Sequence, residues 1–277
     1  MLEALARGRA LVVPLACGAG LALPTSAWCD QPLWELGGGL AALQLPHYRG
    51  SDQSRAMVLP LPYVIYRGDF LKADRDGARA QLIESGNMDL DLSVAASAPT
   101  NSRDNRARAG MDDLAPTFEV GPRLQVKLAK GAGWKVDLRV PVRAVITIES
   151  RPQMVGWTAA PNINLDLKLG EWNFGVLTGP VWGSQKFNAY TYSVGAADAT
   201  ASRPAYQAKA GSAGWQTTMG ASRRLGNAWL GVFAKADTLT GATFVDSPLV
   251  RQRGAYSVGI GMSWVFATSS QRVGNDR

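Results

Sequence analysis

The most constraining feature of this sequence is a long alternating run from Trp134 to Glu149. One face is apolar and consists of Trp134, Val136, Leu138, Val140, Val142, Ala144, Ile146 and Ile148. The other face is mostly polar or charged and consists of Lys135, Asp137, Arg139, Pro141, Arg143, Val145, Thr147 and Glu149. Side chains alternate across a β-strand, and a soluble strand is usually only about five or six residues long. A strand that crosses a lipid bilayer needs roughly nine to eleven residues within the lipid, so this run predicts a membrane strand.

The same pattern recurs along the chain, which predicts an all-β, antiparallel transmembrane β-barrel. Alternation predicts twelve strands, near residues 33–44, 57–66, 69–74, 78–84, 88–97, 116–129, 134–148, 154–169, 171–186, 210–225, 227–239 and 255–266. Short connections rich in Gly, Asn and Asp alternate with long ones at 45–56, 98–115, 187–209 and 240–254. That asymmetry and an even number of strands are typical of outer-membrane barrels, which have short periplasmic turns and long external loops.

The N-terminus predicts a cleaved secretion signal over residues 1–29. Arg7 and Arg9 precede an almost wholly apolar stretch from Ala10 to Leu23, and small residues follow it. Basic, apolar and small-residue regions in that order are typical of a signal peptide. Cleavage after Ala27 and cleavage after Cys29 are both compatible with the sequence. We therefore expect a barrel over 30–266, exported to the outer membrane of a Gram-negative cell, and a disordered polar tail over 267–277.

Composition narrows the possible partners and cofactors. The chain has a formal net charge of +7, but its Lys and Arg are dispersed among Asp and Glu without a basic helix, which disfavours nucleic acid as a partner. Its two Cys, Cys17 and Cys29, lie within the predicted signal, so a thiolate metal site is excluded. The outward face is expected to contact outer-membrane lipid and lipopolysaccharide. We expect no cofactor.

Candidates for catalysis are few, and we expect a protein that is not an enzyme. His47 is the one histidine, and Ser51 could in principle form a nucleophilic pair with it. The simpler interpretation is a loop histidine in a Pro- and Tyr-rich segment. Asp104, Asp112 and Asp113 share one loop and could hold calcium weakly, although their spacing does not match a known calcium loop.

Charged residues on the inward face form the candidate functional site. The predicted lumen charges are Glu119, Arg123, Lys127, Asp137, Arg139, Arg143, Asp166 and Lys168, with Asp89, Asp91 and Lys135 beside them. Two interpretations stay open. Paired charges would fill and stiffen the interior, whereas unpaired arginines would line a selective pore.

Aromatic residues mark the predicted periplasmic rim. These are Trp34, Trp134, Trp172, Trp229, Trp264 and Phe266, and aromatic girdles belong at a membrane interface. Trp264 and Phe266 close the last strand, which in outer-membrane proteins is the part that the barrel assembly machinery recognises. We therefore expect these two residues to form the assembly signal.

Several segments resemble the MltA-interacting protein family, also called MipA/OmpV. They are Leu45-Pro46-His47-Tyr48-Arg49-Gly50-Ser51, Leu59-Pro60-Leu61-Pro62-Tyr63-Val64-Ile65-Tyr66-Arg67, Asp246-Ser247-Pro248-Leu249-Val250 and Gly259-Ile260-Gly261-Met262-Ser263-Trp264-Val265-Phe266. Their order and spacing cover nearly the whole exported chain. Two departures are the residues after Phe266 and a different aromatic pattern within 187–209.

The resemblance implies a barrel without catalytic activity that acts as a scaffold or interaction protein. It implies partners among the enzymes that build and remodel peptidoglycan, namely a murein transglycosylase and a peptidoglycan synthase. The alternative function that the residues leave open is a small outer-membrane channel for charged solutes.

Overall fold

A computed structural model describes residues 31–68, 71–74 and 77–273, with residues 71–74, 77–81 and 84 described by their backbone alone. The predicted signal peptide and the last four residues lie outside the described part. The strands are β1 (Gln31–Pro32), β2 (Trp34–Pro46), β3 (Ser54–Arg67), β4 (Leu71–Asp74), β5 (Gly77–Ser85), β6 (Met88–Ser97), β7 (Thr117–Gly131), β8 (Trp134–Thr147), β9 (Met154–Ala159), β10 (Asn162–Leu169), β11 (Trp172–Gly183), β12 (Gly211–Leu225), β13 (Ala228–Thr238), β14 (Gly254–Thr268) and β15 (Arg272–Val273).

The strands from β2 to β14 pair into an antiparallel ring. Apart from β9 and β10, each pairs with the strands before and after it in sequence, and β14 pairs back onto β2 through partners such as Ile260 and Ala42. Strands β9 and β10 share one position in the ring, since both pair with β8 and both pair with β11. The ring therefore has the predicted twelve positions, and it confirms the antiparallel β-barrel.

The predicted strand 154–169 is interrupted at Ala160-Pro161, beside Pro141 of β8. Val142 pairs with Ala159 and Arg139 pairs with Asn162, which leaves Pro141 opposite the Ala160-Pro161 step. Proline has no N–H to donate to a ladder. The interruption follows from that missing donor, and the chain continues in the same direction beyond it.

The outward face of the ring is apolar and exposed, as the alternation predicts. Leu40 is 61% exposed, Val58 is 68% exposed and Ile260 is 52% exposed, while their sequence neighbours turn inward. Apolar surface of that extent is stable where lipid covers it. No helix in the described ranges is long and apolar enough to cross a membrane.

The long connections pack together at one end of the ring. They contain the one described α-helix, α1 (Gln185–Tyr192), and short 3₁₀ turns. Ser184 caps α1, because its hydroxyl oxygen accepts a hydrogen bond from the Phe187 N–H at 3.3 Å. The alternation predicts that 184–186 end a strand and that 187–209 form a loop, whereas the structure has a helix there.

Part of the predicted disordered tail, within residues 267–273, forms strand pairs in the structure, and residues 274–277 lie outside the described part. Strand β14 continues past Phe266 to Thr268, and the Ser269 N–H donates to the Trp34 carbonyl at 2.9 Å. Gln31 and Pro32 then pair with Val273 and Arg272. Because β2 and β14 are neighbours in the ring, the segments that flank them emerge side by side and can pair.

Candidate functional site

A buried ion pair joins β6 and β7 inside the barrel. Arg123 lies directly opposite Asp91 in the register of the two strands. Its Nη2 is 2.8 Å from Asp91 Oδ2 and its Nε is 3.0 Å from Oδ1, which makes the contact two-pronged. Such a fork fits a carboxylate better than a single contact does.

A second cluster of charges joins β8 and β10. Lys135 Nζ lies 3.2 Å from Asp166 Oδ2, and Arg139 Nη2 lies 3.7 Å from the same oxygen. Asp137 is fully buried, and its Oδ2 lies 3.5 Å from Arg139 Nη2 and 3.6 Å from Lys135 Nζ, which are ion-pair distances. The alternating signs across neighbouring strands hold this part of the wall together.

Two more cations have acidic partners. Arg143 lies 3.8 Å from Glu119, and its Nε donates to the Ser93 hydroxyl at 3.0 Å. Lys127 lies 3.1 Å from Asp89. Seven of the eight predicted lumen charges therefore have ion-pair partners, whereas Lys168 is exposed near the end of β10.

Two charged groups at the ends of the lumen were not selected from the sequence. Near the long loops, Arg49 Nε lies 2.9 Å from Asp237 Oδ1. Near the short turns, the fully buried Glu35 lies 2.7 Å from Arg67 and 2.9 Å from Arg224. Their partners are distant in sequence, so spacing gives no signal for either group.

The side of the lumen formed by β14, β2 and β3 is apolar. Gly259 and Gly261 on β14 leave room that neighbouring side chains fill: a Cβ at Gly259 would meet Phe233 and Leu43, and one at Gly261 would meet Leu61. Tyr63 stacks on Trp229, with ring centroids 6.2 Å apart. Trp229 thus lies at the predicted rim but faces inward, unlike the exposed Trp134 and Trp264. The lumen has one charged side and one apolar side.

The long loops form a cap with its own core over one end of the barrel. This core consists of Tyr48, Leu114, Val181, Tyr192, Val194, Ala208, Ala213, Leu239, Ala242, Phe244 and Leu249. The Tyr192 and Phe244 rings are stacked at 3.8 Å. The Tyr48 hydroxyl donates to the Leu249 carbonyl at 2.8 Å, and the Tyr192 hydroxyl donates to the Arg49 carbonyl at 2.9 Å. These contacts fix three loops to one another.

Arginines tie the remaining loop into the cap. The buried Arg108 donates to the Thr191 carbonyl at 2.9 Å. From the other direction, Arg203 donates to the Ala107 carbonyl at 3.0 Å and to the Ala109 carbonyl at 2.9 Å. The four long loops are therefore one interlocked body.

Burial within the cap shifts the pKa of its ionisable groups. Loss of hydration raises the pKa of Tyr48 to about 12 and raises the pKa of Tyr192 further, since removal from water disfavours the phenolate. The same cause lowers the pKa of Arg108 from its usual range. These groups serve the packing of the cap.

His47 and Ser51 do not contact each other as a nucleophile and base would. Both contact Asn105, whose Nδ2 lies 3.3 Å from His47 Nδ1 and 3.0 Å from Ser51 Oγ. Ser51 in turn donates to the Gln53 carbonyl at 3.0 Å. Burial, followed by the charge of Arg55, lowers the pKa of His47. The three side chains join two loops of the cap.

The three loop aspartates do not converge on a cation site. The Asp113 carboxylate accepts the Ser102 N–H at 2.7 Å, while Asp112 contributes its carbonyl to the Ser102 hydroxyl and to Arg108. Within the described ranges, no group of His, Cys, Asp and Glu has the arrangement of a metal site.

Comparison with known proteins shows distant likenesses in structure. An outer membrane channel from Pseudomonas putida F1 is 13% identical with a TM-score of 0.43, and the match covers 88% of this chain and all of the other. The NanC porin is 8% identical with a TM-score of 0.37, and the match covers 84% and 98% of the two chains. Outer membrane phospholipase A from Escherichia coli is 12% identical with a TM-score of 0.32, over 88% and 94%.

The sequence comparison identifies the family. Among curated proteins, none matches the chain significantly. The family model described as MltA-interacting protein MipA matches residues 38–266, which is nearly the whole of the ring. Together with the apolar outward face of the ring, that match shows that this chain is an outer-membrane β-barrel of the MltA-interacting protein MipA family.

Proposed function

We propose that the protein is an outer-membrane scaffold that acts through its surfaces and binds cell-wall enzymes on its periplasmic side. The observation that carries this proposal is that seven of the eight predicted lumen charges are paired and that the interlocked cap covers the end of the barrel opposite the short turns. A barrel of twelve positions is also narrower than the open porins of about 16 strands or more. A closed barrel has its outer surface and its ends left for function.

The family description supplies the class of partner. An MltA-interacting protein binds a murein transglycosylase, and we extend that partner to this chain. A peptidoglycan synthase joined through the same scaffold is the second partner in the proposal. We also propose that lipid and lipopolysaccharide surround the apolar outward face and that the barrel assembly machinery binds the last strand.

A lysine patch at the periplasmic end is our candidate docking surface. It consists of Lys127, Lys130, Lys135 and Lys168, which the register brings together at the adjoining ends of β7, β8 and β10. Lys130 pairs with Lys135, and the Lys168 N–H donates to the Gly133 carbonyl at 2.6 Å. Lys130 and Lys168 are exposed, so the patch favours a partner with an acidic surface.

The test is binding of a purified murein transglycosylase to the barrel in lipid nanodiscs. Lys130→Glu with Lys168→Glu should weaken binding at least tenfold, because like charges would then face an acidic partner. The matched control is Arg103→Glu with Arg151→Glu, two exposed cations at the opposite end. Equal binding by both double variants, or no binding by the wild type, would overturn the docking surface.

One observation favours the channel for charged solutes. Lys127 is 39% exposed and Asp166 is 25% exposed at the side chain, so the periplasmic half of the lumen is hydrated. Hydration of one half does not make a continuous pore. A conductance measurement therefore distinguishes the scaffold from the channel.

A further inference from the structure

On one side of the barrel, the strands that follow β3 are too short to reach the end that carries the cap. The strands described within the segment 68–85 are β4, with four residues, and β5, with nine, although each membrane strand needs roughly nine to eleven residues within the lipid. Strand β4 pairs with β3 only at Tyr66 and Arg67, and β5 pairs with β6 no further up than Ser93. Within the described ranges, β3 from Ser54 to Ile65 therefore has no strand on that side. This side opening lies in the half of the wall nearest the cap.

Two prolines keep the open edge of β3 from pairing. The Arg67 N–H donates to the Leu33 carbonyl at 2.8 Å, so odd-numbered residues of β3 point their backbone groups toward β2. Even-numbered residues then point toward the opening, and Pro60 and Pro62 are among them. They have no N–H to offer, so an additional strand would gain little there. The edge suits an occupant that needs no backbone hydrogen bonds.

The inward face of β3 beside the opening is an apolar strip of Met57, Leu59 and Leu61. Alternation places these odd-numbered residues inside the barrel, and Leu59 nevertheless remains 41% exposed there. The strip continues the apolar side of the lumen, where Leu61 lies over Gly261. An exposed apolar surface inside a barrel favours an apolar ligand.

Arg55 stands at the end of this strip nearest the cap. Its Nη2 donates to the Pro99 carbonyl across the opening, and its Nε is buried without a hydrogen-bond partner. In the described part of the chain no carboxylate lies within ion-pair distance of it, whereas Arg123, Arg143 and Arg49 each have one. Arg55 is a cation next to an apolar surface, which is the arrangement that an anionic amphiphile requires.

We propose that a fatty carboxylate from the outer leaflet enters sideways between β3 and β6. Its alkyl chain lies along the apolar strip and its carboxylate binds Arg55. The cap closes the alternative route from outside, so the side opening is the entrance. This site is independent of the periplasmic docking surface, which lies at the other end of the barrel.

The first experiment measures binding of radiolabelled palmitate to the full-length barrel in nanodiscs. Arg55→Gln should lower palmitate affinity about tenfold, while Arg151→Gln, an exposed cation at the same end, should leave it unchanged. Hexadecanol has no charge, so wild type and Arg55→Gln should bind it equally. Equal palmitate binding by the wild type and Arg55→Gln, or no binding above empty nanodiscs, would overturn the proposal.

The second experiment locates the alkyl chain of the bound ligand, and it uses the wild-type protein, so it does not depend on the folding of a variant. A palmitate analogue with a photoreactive group at its far end should label Leu59 or Leu61 in the wild type. Labelling confined to outward residues such as Val58 and Ile260 would show a lipid coat only and would overturn the site. Transglycosylase binding measured on Arg55→Gln should be unchanged, which separates failure of this site from failure of the scaffold.

Discussion

Arg123 on β7 and Asp91 on β6 form a two-pronged ion pair inside the barrel, and both side chains are more than nine-tenths buried. Charges removed from water to this degree are stable only when paired. The pair joins two neighbouring strands and lies inside the barrel. It therefore stabilises the wall and also fills part of the lumen.

Removal of Asp91 should destabilise the barrel strongly. Asp91→Ala leaves the buried Arg123 guanidinium without its partner, and we expect a loss of about 3–5 kcal/mol in the free energy of unfolding. Urea unfolding in lipid vesicles, followed by tryptophan fluorescence, measures it. Glu171→Ala is the control, since Glu171 is solvent-exposed and its partner Arg223 is only half-buried, and surface pairs contribute about 0–1 kcal/mol. Equal losses for the two variants would contradict the assignment of a buried pair.

A charge on the lipid face of β8 should be costly. Val140 lies on the outward face and pairs with Leu124. Val140→Arg should cost about 2–4 kcal/mol near the middle of the bilayer, whereas Val140→Met should be nearly neutral. The same unfolding measurement compares them. If the arginine variant is as stable as the methionine variant, β8 does not face lipid at this position.

Alkaline titration should separate the cap tyrosines from exposed ones. Burial raises the pKa of Tyr48 to about 12 and raises that of Tyr192 as well, so both should remain protonated at pH 11. The unfolded chain ionises its tyrosines near pH 10. A folded pKa above that value means that the stability contributed by the protonated phenols is full below about pH 10 and is lost as pH rises through about 12.

The measurement is phenolate absorbance as a function of pH, compared between the wild type and Tyr48→Phe. The component that ionises near pH 12 should lose amplitude in the variant, while the component near pH 10 stays the same. A wild type in which every tyrosine ionises near pH 10 would show that the cap is open.

The alternation in the sequence was sufficient to predict the wall. It located β8 and β14 to within a few residues. In a barrel, every second side chain of a strand faces lipid, so the apolar residues recur with the period of the strand. The twelve positions followed from the short turns, such as Gly170-Glu171, and the break after Asp74 was confirmed. Strand β3 was harder to interpret, because Leu59 and Leu61 make its inner face apolar, and the structure relates this to the side opening.

The cap could not be predicted, because its contacts join residues that are far apart in the chain. The Tyr48 hydroxyl reaches the Leu249 carbonyl, and the Tyr192 hydroxyl reaches Arg49. No periodicity encodes such pairs. The local signal for α1 was Ser184, a favourable N-cap residue, but the helix is too short for its period to stand out. Ion pairs such as Arg49 with Asp237 are hidden for the same reason.

The last strand should carry the signal for assembly. Trp264 is 51% exposed and Phe266 is 76% exposed on the outward face of β14. Trp264→Ala with Phe266→Ala should lower the amount of folded protein in the outer membrane, because we propose that the assembly machinery recognises this strand. The heat-modifiable band in membrane fractions measures that amount. Val258→Ala with Ile260→Ala, on the same face but far from the C-terminal end of the strand, is the control. A normal band for the Trp264–Phe266 variant would contradict the prediction.

The central claim is that the interior is closed, and single-channel conductance in planar bilayers tests it most directly. The wild type should show no stable conductance, because the cap covers one end and Arg123, Arg139 and Arg143 are held by carboxylates. Arg139→Ala with Arg143→Ala removes two of these pairs and should produce either measurable conductance or a less stable barrel. A large, anion-selective conductance of the wild type that loses its selectivity in this double variant would contradict the scaffold and establish a pore.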